Sequence, residues 1–212
     1  MKIIKPSYEI MSPINREEIL KSLEIAGRTC YKSEDKITED SANKFVRMLI
    51  NRGHEAMIEH ISLTVKFVCD RGVTHEIVRH RIASYAQEST RYCNYSNDKF
   101  GNEITVIEPL FYNTNNQEEV KKFNAWSSAC EFAEKKYFEL IKLGSTPQEA
   151  RSVLPNSLKT EIVVTMNLRE WRHFFKLRTA SAAHPQMREV AVPLFEELKV
   201  LLPEIFDSVE VN

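Results

Sequence analysis

The stretch ISLTVKFVC, residues 61–69, alternates between apolar and polar side chains over most of its length. The apolar positions of one face are Ile61, Leu63, Val65, Phe67 and Cys69. A period of two residues places these side chains on the same side of an extended chain. The stretch therefore predicts a β-strand with one face buried against a core.

Strands and helices are mixed around this stretch. Further strands are predicted at residues 1–11, 103–108 and 160–166. Four helix starts carry a capping residue followed three positions later by Glu, namely Asn15, Asn116, Thr146 and Asn167. The predicted helices cover 15 to about 26, 38 to about 52, 73–82, 116 to about 144, 146–154, 167 to about 178, and 186–202. Residues 83–102 are polar and aromatic, which predicts a long loop.

These elements do not alternate strictly, and helices outnumber strands. The pattern favours an α+β fold with a mixed, mostly antiparallel sheet flanked by helices. The length of 212 residues suits a single domain, 1–212, with a helical lobe at about 116–155.

Composition excludes several classes of protein. The chain is 42% hydrophobic and 28% charged, which is typical of a folded soluble protein. Its net charge is -1, so it does not have the overall positive charge of many nucleic-acid-binding proteins. The five glycines never form a GxG, so neither a Walker A loop nor a dinucleotide fingerprint is present. Side chains must therefore do much of the work of holding any phosphate.

The sequence also points to a cytoplasmic protein. It contains neither an apolar run of the ~20 residues that a membrane span needs nor a signal peptide. The four cysteines are widely spaced and form no CxxC pair, which favours reduced thiols over a disulfide framework.

Arginine is concentrated in one segment. Between residues 67 and 98 there is no lysine, and the cations are Arg71, Arg79, Arg81 and Arg91. Arginine grips phosphate through a planar fork, whereas lysine acts as a point charge. On an ideal helix the side chains of Arg79 and Arg81 would splay about 200° apart. The alternative to phosphate binding is a purely structural role, in which these arginines form an exposed basic helix end that complements the helix dipole.

Two other kinds of site are disfavoured. The segment 54–60 (HEAMIEH) resembles a zincin motif, but its histidines are six residues apart and not the four that HExxH requires. We therefore predict no metal site. A Ser-His-Asp triad is also disfavoured, because the chain has no GxSxG.

The motifs resemble those of the flavin-dependent thymidylate synthases. The signature of that family is Arg-His-Arg, seven residues, then Ser, and here it spans residues 79–89. Thr90, Arg91 and Tyr92 extend the match. Residues 53–60, 151–155 (RSVLP), 167–178 and 184–186 (HPQ) are similar to further family segments, in the same order.

The resemblance implies a reaction. Such enzymes convert dUMP to dTMP, with methylenetetrahydrofolate as carbon donor and NADPH as reductant through FAD. No enzyme nucleophile is required, so the protein contributes binding, orientation and electrostatics. The resemblance further implies a homotetramer with sites shared between subunits, and no nucleic-acid or membrane partner.

The resemblance assigns roles residue by residue. Arg178 would lie against the uracil ring and stabilise developing negative charge. The implied dUMP-binding residues are Glu76, Arg79, Gln87, Ser89, Thr90, Arg91, Arg151 and Arg178. The implied FAD-binding residues are Glu59, Arg79, His80, Arg81, Asn167, Arg169, His173 and His184. His54 would lie near the folate. Ala86, Gln87, Cys30 and Ala56 depart from the usual family residues.

Two alternatives remain open. One is a nucleic-acid-binding protein or ribonuclease that uses the loop 79–95. Its arginines would hold phosphates and His80 would act as acid or base, while bases would stack on Tyr85, Tyr92 and Tyr95. The other is a family member that binds its ligands without turnover, because positions 86 and 87 are altered.

Overall fold

A computed structural model describes residues 1–112 and 116–211. The chain folds into two compact units, each assembled from three segments. The first unit comprises Met1–Ser7, Phe67–Val78 and Ala86–Ile162. The second comprises Tyr8–Lys66, Arg79–Tyr85 and Val163–Asn212.

The described residues contain strands and helices in the mixed order that the sequence predicts. The strands are β1 (Lys2–Ile4), β2 (Ser7–Ile10), β3 (Ser62–Asp70), β4 (Ala83–Gln87), β5 (Thr105–Ile107) and β6 (Lys159–Asn167). The α-helices are α1 (Arg16–Tyr31), α2 (Ser41–Asn51), α3 (Arg71–Ile77), α4 (Gln117–Lys142), α5 (Pro147–Ala150), α6 (Leu168–Arg178), α7 (Pro185–Leu201) and α8 (Pro203–Phe206). Short 3-10 helices include Glu55–His60 and Arg151–Val153.

The main sheet has the strand order β2-β3-β6-β4 and is antiparallel, while β1 and β5 form a separate parallel pair. Strand β3 buries Leu63, Val65, Phe67 and Cys69 and leaves the residues between them more exposed, as the alternation predicts. The predicted α+β class with a mostly antiparallel sheet is therefore confirmed.

Strand β4 corrects the prediction of a loop over residues 83–102. Its sequence, ASYAQ, has no regular alternation of apolar and polar side chains, yet it forms one edge of the main sheet. The Gln87 side chain satisfies its amide by donating to the hydroxyls of Thr74, at 3.0 Å, and Thr160, at 3.3 Å. Hydrogen-bond partners from other parts of the chain allow a polar residue to lie on a strand.

Helix starts were better predicted than helix ends. Asn15 and Asn167 each accept a hydrogen bond from the backbone N–H three residues later, and Thr146 with Glu149 forms the predicted capping box. In contrast, the helix predicted over residues 73–82 starts at Arg71 and ends at Ile77. Residues 79 to 82 therefore lie outside it, and the splay expected of two arginines on one helix does not apply.

Each unit has its own core. In the first, α4 packs its buried Tyr137 against Tyr95, with ring centroids 5.7 Å apart, in a cluster that includes Ile104, Val106 and Leu158. The second is organised around α6, whose Phe175 contacts the rings of Phe195, at 4.9 Å, and Phe206, at 5.7 Å. Trp171 of α6 donates through Nε1 to the carbonyl oxygen of Leu63, at 3.1 Å. These contacts fix α6, which carries several of the predicted site residues.

In the described part of the chain, no helix combines the length and apolarity needed to cross a membrane. All four cysteines lie there and are free thiols.

Candidate active site

The predicted ligand-binding residues divide between the two units. Those in the first unit are Glu76, Gln87, Ser89, Thr90, Arg91 and Arg151. Those in the second unit are His54, Glu59, Arg79, His80, Arg81, Asn167, Arg169, His173, Arg178 and His184. Apart from Arg178, the residues predicted to bind dUMP and not FAD fall in the first unit, and those predicted to bind FAD and not dUMP all fall in the second.

The first unit contains an open cavity of about 470 Å³ with two arginines in its wall, Arg71 and Arg151. Its other lining residues are Thr90, Gln148, Ser152, Leu154, Pro155 and Asn156. Arg151 is exposed, and its Nη1 lies 3.5 Å from the hydroxyl of Thr90, which is buried. Two guanidinium groups and a hydroxyl in the wall of one cavity are suited to binding an anion such as a phosphate.

Arg71 is a residue of this cavity that the motif comparison missed. Its backbone N–H donates to the carbonyl oxygen of Asn156, at 3.0 Å. Its Nη1 is buried, and among the described residues it has no hydrogen-bond partner. Buried donors are nearly always satisfied, so an unpartnered one indicates a missing ligand or water. The available signal was the position of Arg71 in the lysine-free segment, directly after the predicted strand.

The other predicted residues of the first unit lie along one continuous segment, apart from Glu76, which is half-buried on α3. Ser89 is half-buried, and its hydroxyl accepts from the backbone N–H of Arg91, at 3.3 Å. Arg91 is exposed and lies over the ring of Tyr92, 5.6 Å from the centroid. The Arg91 side chain is therefore accessible to a ligand.

A chain of hydrogen bonds links four residues of the second unit. His80 is only 4% exposed, and its Nδ1 lies 3.0 Å from Oε1 of Glu170. On the other side of the ring, Nε of Arg178 donates to Nε2 of His80, at 3.1 Å. Tyr85 donates its hydroxyl to the carbonyl oxygen of His80. The chain places a neutral imidazole next to the predicted catalytic arginine.

The protonation of this group follows from its surroundings. Burial lowers the pKa of His80 to about 4, and the charges of Arg178 and His173 act in the same direction. Burial raises the pKa of Glu170, although His173 opposes the shift. Burial also raises the pKa of Tyr85 to about 12. His80 is therefore uncharged at neutral pH and accepts a hydrogen bond from the cation beside it.

A second cavity, of about 570 Å³, lies against α6. Its wall contains four of the predicted FAD-binding residues, Glu59, Asn167, Arg169 and His173. The wall is completed by Glu55, Ile82, Glu170, Arg172, Lys176, Ser208, Val209 and Glu210. The structure thus brings together residues that are more than a hundred positions apart in the sequence.

The charges in this cavity are partly paired. Nη1 of Arg169 lies 2.5 Å from Oε1 of Glu59, and Nη2 of Arg172 lies 2.9 Å from Oε1 of Glu55. Asn167 caps α6 with its side-chain oxygen Oδ1. Its side-chain nitrogen takes no part in that hydrogen bond. Arg169 and Glu59 are exposed, and exposed ion pairs are weak enough to rearrange around a charged ligand.

His80, Glu170 and His173 also lie close enough to hold a metal ion, with their ligand atoms within 4.8 Å of one another. However, Nε2 of His80 already accepts from the Arg178 guanidinium. A second cation beside Arg178 would be repelled strongly in this buried setting. The arrangement favours a hydrogen-bonded group over a metal centre.

The remaining predicted residues are exposed. Arg79 and Arg81 flank the buried His80. His184 caps α7, with its Nδ1 accepting from the backbone N–H of Gln186, at 3.3 Å. His54 precedes a 3-10 helix, and its Nδ1 lies 2.6 Å from the hydroxyl of Tyr31. The two rings are stacked, with centroids 6.3 Å apart.

Known proteins are similar to this chain over most of its length. A family model described as "Thymidylate synthase complementing protein" matches residues 14–204. A flavin-dependent thymidylate synthase of Pyrococcus abyssi is 38% identical over 168 residues, which are 79% of this chain and 66% of the relative. One of Geobacter sulfurreducens is 35% identical over 189 residues, which are 86% of this chain and 78% of the relative. The chain belongs to the flavin-dependent thymidylate synthase family.

The fold of this family member agrees with a solved structure. The UMP/dUMP methylase PolB from Streptomyces cacaoi, bound with 5-Br dUMP, superimposes with a TM-score of 0.78 and covers 98% of this chain and 96% of its own. Sequence identity is 22%, so this likeness establishes the fold alone. The family membership identifies the chain as a flavin-dependent thymidylate synthase, a methyltransferase.

Proposed function

We propose that this protein converts dUMP to dTMP, with methylenetetrahydrofolate as carbon donor and NADPH as reductant through FAD. Family membership supports the reaction class. The observation that carries the proposal is the contact between Arg178 and the neutral His80, at 3.1 Å. It fixes a guanidinium, which serves to stabilise negative charge on a uracil ring.

The dUMP phosphate is assigned to the cavity that contains Arg71, Thr90 and Arg151. The unpartnered Nη1 of Arg71 and the exposed guanidinium of Arg151 supply charged donors, and the Thr90 hydroxyl supplies a neutral one. Ser89 and Arg91 lie on the adjoining segment and are assigned to the same nucleotide. Gln87, although bonded to Thr74 and Thr160, adds hydrogen-bonding capacity without the negative charge that would repel a phosphate.

The FAD is assigned to the cavity against α6. Its volume of about 570 Å³ lies within the ordinary range for small-molecule sites. Asn167, Arg169 and His173 supply donors, and the cations Arg172 and Lys176 suit a diphosphate. Arg79, Arg81, Glu59 and His184 complete the assigned set. When bound, the flavin supplies the reducing power of the reaction, and the residues named here bind and orient it.

Arg178 is assigned the catalytic role. Its Nε is anchored on His80, so the plane of the guanidinium is fixed relative to α6. Donors that are already oriented stabilise developing charge without a reorganisation cost. No nucleophile is required of the chain, and its part is to bind, orient and polarise.

The folate is assigned to the neighbourhood of His54. The stacked rings of Tyr31 and His54 are exposed and present aromatic surface at one place. Such surface suits a flat heterocycle. The two cavities, of about 470 and 570 Å³, each match a single small ligand. Because three ligands must meet, we propose a homotetramer whose subunits share the walls of each site.

The alternative of nucleic-acid binding is disfavoured by the placement of its aromatic residues. Tyr95 is 5% exposed and packs in a core, so it cannot stack on a base. Tyr85 is half-buried and bonded to the backbone of His80. Of the three tyrosines, Tyr92, at 80% exposure, is the one that lies open to a base.

Two measurements test the proposal. The purified protein, with FAD added, should develop a flavin absorbance spectrum that remains with the protein on gel filtration. With dUMP, methylenetetrahydrofolate and NADPH, it should then form dTMP, detected by chromatography. A protein that retains flavin but forms no dTMP would support the alternative of ligand binding without turnover. A protein that retains no flavin would contradict the proposal.

A further inference from the structure

Glu170 is a buried carboxylate to which the family resemblance assigns no role. It lies in the first turn of α6, where its spacing from Asn167 predicts a capping box. Its backbone N–H does donate to Asn167. The carboxylate that a capping box would use reaches His80, 90 residues away in the sequence, with Oε1 at 3.0 Å from Nδ1.

The hydrogen-bonding capacities of the three residues determine the tautomer of His80. An ionised carboxylate only accepts, so Nδ1 of His80 must carry the proton that faces Glu170. The Nε–H of an arginine only donates, so Nε2 of His80 must be the unprotonated nitrogen that faces Arg178. Both contacts are satisfied only when His80 is neutral with its proton on Nδ1.

We propose that Glu170 is a positioning residue, which holds His80 in the Nδ1–H tautomer and thereby orients the guanidinium of Arg178. If the proton moved to Nε2, two N–H groups would face each other 3.1 Å apart, and Arg178 would lose this anchor. In functional histidines, the hydrogen bond made by one ring nitrogen commonly determines whether the other nitrogen carries the proton. The catalytic consequence rests on the function proposed above, whereas the tautomer does not.

The surroundings of the group support the proposal. Glu170 is 8% exposed and His80 is 4% exposed, so water cannot readily substitute for either partner. The rings of Phe174, at 5.0 Å, and His173, at 5.6 Å, pack against the imidazole and restrict its rotation. The lowered pKa of His80, caused first by burial and then by the charge of Arg178, keeps the ring neutral at physiological pH.

The test compares two substitutions of nearly equal volume. Glu170→Gln keeps an oxygen that accepts from Nδ1–H, whereas Glu170→Met removes the acceptor and keeps the packing. The protonation of the two His80 nitrogens is read by ¹⁵N NMR on protein labelled at histidine, with the signals assigned by a His80→Gln variant. The holoenzyme of each variant is then assayed for kcat and for the KM of dUMP.

Wild-type protein and Glu170→Gln should show the proton on Nδ1, and Glu170→Met should lose that preference. In Glu170→Met, kcat should fall roughly 10-fold to 100-fold, by analogy with the loss of a carboxylate that orients a metal-bound histidine. The KM of dUMP should change little, and Glu170→Gln should retain most of the turnover. Glu196→Gln, an exposed change on α7 next to Lys199, serves as the control and should behave as wild type.

A wild-type signal with the proton on Nε2 would overturn the proposal, and this measurement needs no variant to fold. Equal losses of kcat in Glu170→Gln and Glu170→Met, with the tautomer unchanged, would also overturn it, because they would indicate a role in packing. Failure of the wild-type protein to form dTMP counts against the proposed function, whereas the NMR spectra still decide the tautomer.

Discussion

Nε of Arg178 donates to Nε2 of His80 across 3.1 Å, so the predicted catalytic cation is anchored at this atom by a neutral group. A carboxylate in the same place would neutralise much of the charge that the guanidinium can offer to a substrate. A neutral imidazole orients the side chain without itself neutralising the positive charge. This contact links the histidine of the Arg-His-Arg signature to the end of α6.

The first prediction concerns Arg178 itself. Arg178→Ala should abolish dTMP formation, and Arg178→Lys should restore little of it, because lysine has neither the Nε–H that His80 accepts nor a planar fork. Loss of an oriented charge-stabilising donor costs roughly 100-fold to 1,000-fold in kcat. Single-turnover formation of dTMP measures the effect, and flavin absorbance checks that FAD is still bound. Turnover at the wild-type rate would remove Arg178 from the catalytic role.

The second prediction concerns Arg71. Arg71→Met should weaken dUMP binding by about 1.5–3 kcal/mol, the scale of a hydrogen bond to a charged group. Binding of deoxyuridine, which has no phosphate, should be unaffected. Isothermal titration calorimetry with both ligands measures the difference.

The matched control is Arg188→Met, which removes an exposed guanidinium outside this cavity. Because Nη1 of Arg71 has no partner among the described residues, the substitution should not lower the melting temperature. Equal weakening of dUMP and deoxyuridine binding would show that Arg71 does not contact the phosphate.

The third prediction separates flavin binding from stability at Asn167. Asn167→Asp keeps the oxygen that caps α6, and Asp is as good a capping residue as Asn. The melting temperature should therefore stay close to that of the wild type. The substitution places a negative charge in the wall of the larger cavity, so FAD affinity should fall. Flavin fluorescence titration measures this loss.

Asn15→Asp is the control, because Asn15 caps α1 in the same way and does not line the larger cavity. It should change neither FAD affinity nor stability. Unchanged FAD affinity in Asn167→Asp would argue against the flavin assignment for this cavity.

The fourth prediction concerns the acid stability of the second unit. The Glu204 side chain is fully buried and accepts from Arg16, Asn43 and Arg47. Burial raises the pKa of Glu204, but the hydrogen bond from Arg16, a backbone hydrogen bond at Glu204 and the charges of Arg16 and Arg47 outweigh it and lower the pKa from 4.5. A lowered pKa in the folded state adds stability above the ordinary pKa, and this stability is lost as the pH falls through the lowered value.

Glu204→Gln removes the charge that accepts from two partly exposed arginines and should cost about 1.5–3 kcal/mol at neutral pH, the scale of a hydrogen bond to a charged group. Its melting temperature should also decrease less steeply below about pH 5 than that of the wild type. Thermal denaturation between neutral and acidic pH measures both effects. Glu17→Gln, which breaks an exposed pair with Lys21, should have little effect. Parallel pH profiles for Glu204→Gln and wild type would contradict the assignment.

Short sequence patterns correctly predicted the elements that depend on residues close together in the sequence. The alternation around Val65 predicted β3, and the capping residues Asn15, Thr146 and Asn167 predicted where three helices begin. Prediction failed where partners distant in the sequence decide the structure. Strand β4 lacks a regular alternation of apolar and polar side chains, and its Gln87 donates to Thr160, 73 residues away.

The sequence by itself determined the family, the fold class and most of the candidate ligand-binding residues, because these depend on spacing within short segments. Only the tertiary structure decided how the residues act on one another. It shows that the carboxylate of Glu170 contacts His80 and does not complete a capping box. It also places Arg71 in the wall of the cavity that contains Arg151. The physical reason is that buried polar groups must find partners, and packing brings those partners from distant parts of the chain.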